Sequence, residues 1–212
     1  MPNLQTMIGI IEKGGVLMYP LILFSILALW IFLDRWLCLQ RARSRPEQLF
    51  DAVRQGLLHH GREQAYQQAC SRPGPLAALF GAILKAVPQD KADLEELATI
   101  QARHELQRLS VRLPLLHLLA GLSPLVGLLG TVMGMVRAFQ TVASAEGAVN
   151  PSLLASGIWE ALLTTVAGLC VAIPALLFHH YLDQRVKSMA FQMDHYGSLL
   201  IRLLTHKEHM NA

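Results

Sequence analysis

The sequence contains little charge. Asp, Glu, Lys and Arg make up 16% of its 212 residues, whereas about 25% is usual in soluble domains. Hydrophobic residues make up 53%, and the mean hydropathy is +0.37. This composition argues against a disordered chain, which would be polar and rich in charge. The net charge of +3 is too small to indicate a nucleic-acid partner. We therefore expect many apolar residues to contact something other than water.

Cysteine and catalytic motifs are scarce as well. Cys38, Cys70 and Cys170 are widely spaced and form no C-x-x-C pair, so they predict neither a disulfide framework nor a zinc site. The sequence has no H-E-x-x-H motif, no phosphate-binding glycine loop after a strand and no nucleophile-and-base constellation. We predict no enzymatic activity, no metal and no cofactor. Residues 1–13 lack the basic start of a secretory signal, so no cleaved targeting peptide is expected.

Three stretches have the roughly 20 mostly apolar residues that a transmembrane helix needs. They are residues 14–33, 113–136 and 153–182. The predicted fold class is therefore an all-α integral membrane protein with three transmembrane helices. The remaining segments are predicted as a short outer N-terminus at 1–13, a cytoplasmic helical segment at 34–112, a short outer loop at 137–152 and a cytoplasmic C-terminal helix at 183–212.

The distribution of basic residues predicts the orientation, because cytoplasmic segments beside spans are enriched in Lys and Arg. Residues 34–112 hold twelve of the 18 and residues 183–212 hold four, which together make 16. A cluster directly follows the first span: Arg35, Arg41, Arg43 and Arg45. We expect the N-terminus to lie outside and the C-terminus to lie in the cytoplasm.

Two turn signals divide the cytoplasmic segment. They are SRPGP at 71–75 and VPQD at 87–90. Residues 92–109 then show helical spacing of leucines with interleaved charges. This last helix is expected to run directly into the second span.

The second span contains small residues at helical spacing. Gly127, Gly130 and Gly134 fall on one face, and such a face lets another membrane helix approach closely. Helix packing is the favoured interpretation of these glycines. Thr131 leaves two alternatives open, a hydrogen bond to its own helix or a polar position in a pore.

The third span carries polar residues at every fourth position, Ser152, Ser156, Glu160 and Thr164, which form one stripe. A carboxylate near the bilayer centre costs about 2.5–3.5 kcal/mol, so it normally faces a bundle interior or a water-filled cavity. Glu160 is thus a candidate for proton binding. The alternative is that Glu160 lies at the outer headgroup boundary. His117 is a weaker candidate, because it lies five residues from Arg112 and its expected place is the cytoplasmic interface.

Two segments resemble the MotA/TolQ/ExbB proton channel family: PLVGLLGTVMGM at 124–135 and GIWEALLTTVAGLCVAIPAL at 157–176. Three spans in 212 residues are most similar to the ExbB type, with the TolQ type second. One departure is Met133, where many members have Trp.

The resemblance implies a homo-oligomer, a pentamer, in the bacterial inner membrane, with a central pore lined by the second and third spans. In that membrane the outer segments, 1–13 and 137–152, are periplasmic. It implies single-span ExbD/TolR-type partners inside the pore and a TonB/TolA-type protein that receives the work of proton flow. Glu160, Thr131 and Thr165 match the family's functional positions, and Pro174 matches a proline expected to bend the third span. The stripe favours Thr164, whereas the family pattern favours Thr165. Thr165 lies about 140° around the helix from Glu160.

Overall fold

In the computed structural model, residues 14–42, 45–86, 90–144 and 151–211 are described. All regular elements in these residues are α-helices, with the following bounds: α1 Met18–Arg41, α2 Pro46–His59, α3 Arg62–Cys70, α4 Pro75–Lys85, α5 Lys91–Ser110, α6 Leu113–Ala143 and α7 Pro151–Asn211. The predicted N-terminal segment 1–13 lies outside the described residues. The all-helical fold class is thus confirmed for the part of the chain that the structure describes.

The helices form two compact units. The first contains the described residues within Met1–Leu33 and Arg112–His180, and the second contains those within Asp34–Val111 and Tyr181–Ala212. Helices α1 and α7 contribute residues to both.

The first unit is apolar on its surface as well as inside. Among the described residues, three helices are long and apolar enough to cross a membrane. They include α1, α6 and most of α7. In the most apolar 18-residue stretch of each helix, only 17% to 33% of the residues are buried. Because so many apolar side chains stay exposed, this unit requires lipid or other protein chains as its surroundings.

Aromatic contacts attach α1 to the other two helices of the first unit. The ring of Phe32 stacks on the ring of Phe178 in α7, with their centroids 4.0 Å apart. The guanidinium carbon of Arg112, just before α6, lies 4.8 Å from the centroid of the Trp30 ring. A cation over an indole face is attracted by the ring quadrupole, so this contact fixes the start of α6 against α1.

The second unit has a conventional hydrophobic core around α4. Eight of the eleven residues of this helix are buried, among them Leu79, Phe80 and Ile83. Helix α7 contributes four buried residues at helical spacing, Met193, Leu200, Ile201 and Leu204. The Arg62 side chain donates to the carbonyl of Leu84 at 2.8 Å and to that of Ala86. These bonds satisfy carbonyls that the end of α4 leaves without helical partners.

The chain breaks where one continuous helix was expected. Helix α5 ends at Ser110 and α6 begins at Leu113, with Arg112 at a φ of 72°. The expectation that the helix at 92–109 runs directly into the second span is therefore wrong. The physical reason is Pro114, whose ring would clash with the carbonyl of Ser110 in an uninterrupted helix.

The helix after the break is longer than the predicted second span. Helix α6 continues past Val136 to Ala143, so part of the segment predicted as the 137–152 loop is helical. Residues 137–143 contain no glycine or proline, and nothing in them stops a helix. Residues 145–150 lie outside the described part of the chain.

Candidate functional site

Helices α6 and α7 pack through small residues. Gly127, Gly130 and Gly134 are all buried on α6. A Cβ atom added at Gly127 would lie 3.1 Å from the Cα of Thr165, and one added at Gly134 would lie 2.9 Å from the Cβ of Ala161. There is no space for larger side chains at these positions. The structure therefore places the three predicted glycines in the contact between the two helices.

The two candidate threonines of α7 both bond to one carbonyl of α6. Thr165 Oγ1 donates to the carbonyl of Gly127 at 3.0 Å. Thr164 is buried, and its Oγ1 donates to its own helix at Ala161 over 2.7 Å, with a longer contact of 3.4 Å to the carbonyl of Gly127. This carbonyl can be approached because Gly127 has no side chain. These two threonines of α7 thus meet the small-residue face of α6.

Thr131 lies apart from these bonds. Its Oγ1 donates to the carbonyl of Leu128 in its own helix at 2.6 Å, which is the first of the two alternatives left open by the sequence. The residue is partly exposed and lines a shallow, mostly apolar groove of about 630 Å³ together with residues such as Val132 and Phe139. Thr131 therefore faces the outside of this chain rather than the contact with α7.

Glu160 has a charged partner that the sequence reasoning did not identify. Arg137 Nη1 donates to Glu160 Oε1 at 3.1 Å, and the two side chains are 48% and 30% exposed. The sequence contains a signal for this pair. Arg137 follows the second predicted span and Glu160 lies near the start of the third, so antiparallel packing of these two spans places the two residues at the same height. Ser152 and Ser156, the other polar residues of the stripe, are exposed.

The remaining candidates lie elsewhere in the first unit. The ring of exposed His117 contacts that of His179, with centroids 4.8 Å apart. Helix α7 runs through Pro174 without ending, although this residue cannot donate a backbone bond to the carbonyl four residues earlier. Among the described residues, no group of three His, Cys, Asp or Glu is placed to hold a metal ion.

Comparison with known proteins gives a consistent result. Residues 71–195 match the MotA/TolQ/ExbB proton channel family. The chain is 41% identical over 87 residues to "Biopolymer transport protein exbB1" of Vibrio cholerae, covering 41% of this chain and 38% of that protein. It is 34% identical over 199 residues to "Putative biopolymer transport protein ExbB-like 1" of Synechocystis, covering 88% and 73%.

A protein with a different name is similar as well. "Tol-Pal system protein TolQ" of Haemophilus influenzae is 35% identical over 127 residues, covering 58% of this chain and 54% of that protein. The matched part thus spans 38% to 73% of the length of these three relatives. Similarity to both ExbB and TolQ proteins does not separate the two types.

Proposed function

Because this chain belongs to the MotA/TolQ/ExbB proton channel family, we propose that it is an ExbB-type subunit of a proton-driven motor. In this role it uses the proton-motive force across the bacterial inner membrane to energise a TonB-like protein for outer-membrane transport. One elementary charge crossing 100 mV releases about 2.3 kcal/mol. The passage of several protons therefore supplies enough energy for a conformational step.

The observation that carries the proposal is the position of Glu160. It is the one acidic residue between 152 and 182, and its carboxylate lies beside the small-residue contact of α6 and α7. A carboxylate kept at a cost in an apolar helix marks an ion or proton path more often than a packing role. Thr165, which bonds to the Gly127 carbonyl, and Thr131, which faces outward, are proposed to line the same path in the assembled complex.

The proposed assembly is a homopentamer in the lipid bilayer, with α6 and α7 of each copy around a central pore. The exposed apolar side chains of α6, such as Leu125, Leu128 and Val132, support contact with lipid or with other copies. The proposed partners are a single-span ExbD/TolR-type protein in the pore and a TonB/TolA-type protein that spans the periplasm. We also propose that the N-terminus is periplasmic and the C-terminus cytoplasmic, because 16 of the 18 basic residues lie in 34–112 and 183–212.

The second candidate function is that of a TolQ-type subunit, which serves envelope integrity and cell division by the same mechanism. The similarity to the Haemophilus TolQ protein supports it. Purification of the complex from native membranes distinguishes the two types through the small membrane protein that accompanies the chain. An ExbD-type partner supports the first role, and a TolR-type partner supports the second.

A cell-based measurement tests the proton-driven role of an ExbB-type subunit. The native gene is replaced by wild type, Glu160→Gln or Glu95→Gln, where Glu95 is an exposed residue of α5. We expect energised uptake to be lost with Glu160→Gln and kept with Glu95→Gln, at equal amounts of assembled complex. Dissipating the membrane potential should abolish wild-type uptake.

Two results would contradict the proposal. One is full uptake with Glu160→Gln in an assembled complex. The other is wild-type uptake that persists without a membrane potential, which would indicate a passive scaffold that only holds the partner helices together.

A further inference from the structure

We infer that Arg137 and the turn at Gly15 are positioning elements for the Glu160 carboxylate. Together they hold it at one place beside the contact of α6 and α7. This inference rests on the proposed function, because it concerns how the proposed proton-binding group is held. It adds two residues from outside the third span to the site, one from α6 and one from the segment that precedes α1.

The first support is the ion pair between two helices. Arg137 Nη1 reaches Glu160 Oε1 at 3.1 Å from the neighbouring helix. A hydrogen bond between two charged groups is stronger than one between neutral groups, so this bond favours one position of the glutamate side chain. Beside this pair, the backbones are held close by Gly134, whose added Cβ would meet Ala161. The helices that carry the two charges are therefore fixed relative to each other.

The second support is the close approach of Gly15. This residue has a φ of +68° and lies in a turn in which the Met18 amide donates to the Gly15 carbonyl at 3.2 Å. A Cβ atom added at Gly15 would collide with Glu160 Oε1, lie 3.3 Å from Glu160 Cδ and lie 3.6 Å from Arg137 Nη1. The space that a side chain would need at position 15 is therefore occupied by the paired carboxylate.

These contacts restrict the position of the Glu160 carboxylate on two sides. Arg137 attracts it from α6, and the backbone of Gly15, which precedes α1, leaves no room for a Cβ atom beside it. A catalytic group that is displaced by about 1 Å can lose about 100-fold in rate. Proton transfer has the same requirement, because donor and acceptor must lie within hydrogen-bond reach of each other or of a bridging water.

The experiment uses the full chain with its partners in cells and compares proton-driven uptake per assembled complex. Arg137→Gln removes the charge, and Arg137→Lys keeps it. We expect uptake to fall ~10- to 100-fold with Arg137→Gln and to be largely restored with Arg137→Lys. Rescue by the conservative variant separates positioning by charge from the simple packing of a long side chain.

Gly15→Ala tests the second contact without changing any charge. Alanine at a positive φ is strained by itself, so the matched control is Gly61→Ala. Gly61 has a φ of +89° and nothing within 4 Å of an added Cβ. We expect Gly15→Ala to lower uptake by ~10-fold or more and Gly61→Ala to leave it at the wild-type level.

The possible outcomes separate this inference from the proposed function. Wild-type uptake with Arg137→Gln, or equal uptake with Gly15→Ala and Gly61→Ala, would overturn the inference if Glu160→Gln is inactive. If Glu160→Gln is itself fully active, the proposed function fails instead. If the Arg137→Gln protein does not accumulate in cells, the comparison of Gly15→Ala with Gly61→Ala alone tests the inference.

Discussion

Gly130 and Gly121 both have a helical backbone in α6, but the space around them differs. A Cβ atom added at Gly130 would lie 2.6 Å from the Cβ of Thr164 and would collide with its hydroxyl, whereas nothing lies within 4 Å of one added at Gly121. Both residues are in the middle of the helix. The comparison of these two positions isolates the effect of the helix contact from the effect of helix propensity.

We predict opposite effects of alanine at these two positions. Gly130→Ala should destabilise the protein by about 1–3 kcal/mol, the usual cost of overpacking. Gly121→Ala should be neutral or stabilising by up to about 1 kcal/mol, since alanine favours helices. Thermal unfolding of the purified protein in detergent measures both. An equal loss of stability in the two variants would show that the α6–α7 contact is looser than the structure indicates.

The sequence identified single residues better than pairs. Helical spacing alone identified Gly127, Gly130 and Gly134 as one face, because three- and four-residue intervals repeat along a helix. The pair of Arg137 and Glu160 depends on the register between two helices, which spacing within one helix does not determine. The close approach of Gly15 was missed for the same reason. It depends on where a turn before α1 meets a side chain of α7.

At the scale of elements, α4 is the centre of the second unit. The Phe80 side chain is fully buried in its core and packs near the ring of Phe50 from α2, with centroids 6.3 Å apart. A short helix that is buried on most of its surface is stabilised by its neighbours more than by its own propensity. Its loss should therefore weaken the whole unit.

We predict that Phe80→Ala costs about 3–5 kcal/mol of stability, from lost apolar burial and the cavity that remains. The matched control is Ile100→Ala on α5, where the residue is 62% exposed, and its effect should stay within about 0.5 kcal/mol. Limited proteolysis within 34–111 measures both. Equal protection of the two variants would contradict the position of α4 in the core.

Element boundaries were only partly predictable. The apolar lengths of the three spans and the turn signals at 71–75 are local properties, and α4 begins at Pro75, where proline suits the first turn of a helix. The break at Arg112 was missed, because the proline signal at Pro114 acts on a carbonyl four residues earlier and lies inside an apolar run. Helix α6 continues beyond Val136 because the following residues include no helix breaker. The predicted span ended there because its bounds were set by hydropathy, which does not show where a helix ends.

At the scale of the whole molecule, the proposed orientation depends on charge alone. It places Cys70, in the second unit, on the cytoplasmic side and Ser144, after the end of α6, on the periplasmic side. Both side chains are exposed. They can therefore report the side of the membrane on which each segment lies.

We predict opposite labelling of single cysteines at these two positions by a charged maleimide that does not cross membranes. The background is a chain with Cys38, Cys70 and Cys170 replaced by serine. Ser144→Cys should be labelled in intact spheroplasts, and restored Cys70 should be labelled only after the inner membrane is permeabilised. The reverse pattern would show that the positive-inside argument gives the wrong orientation.

The central claim is that protons pass through this protein by way of Glu160. Its most direct test is proton flux into proteoliposomes that contain the purified complex with its small membrane partner, driven by an imposed potential. The account predicts flux for wild type and for Glu95→Gln, and no flux above that of empty liposomes for Glu160→Gln. Equal flux through the wild-type and Glu160→Gln complexes would contradict it.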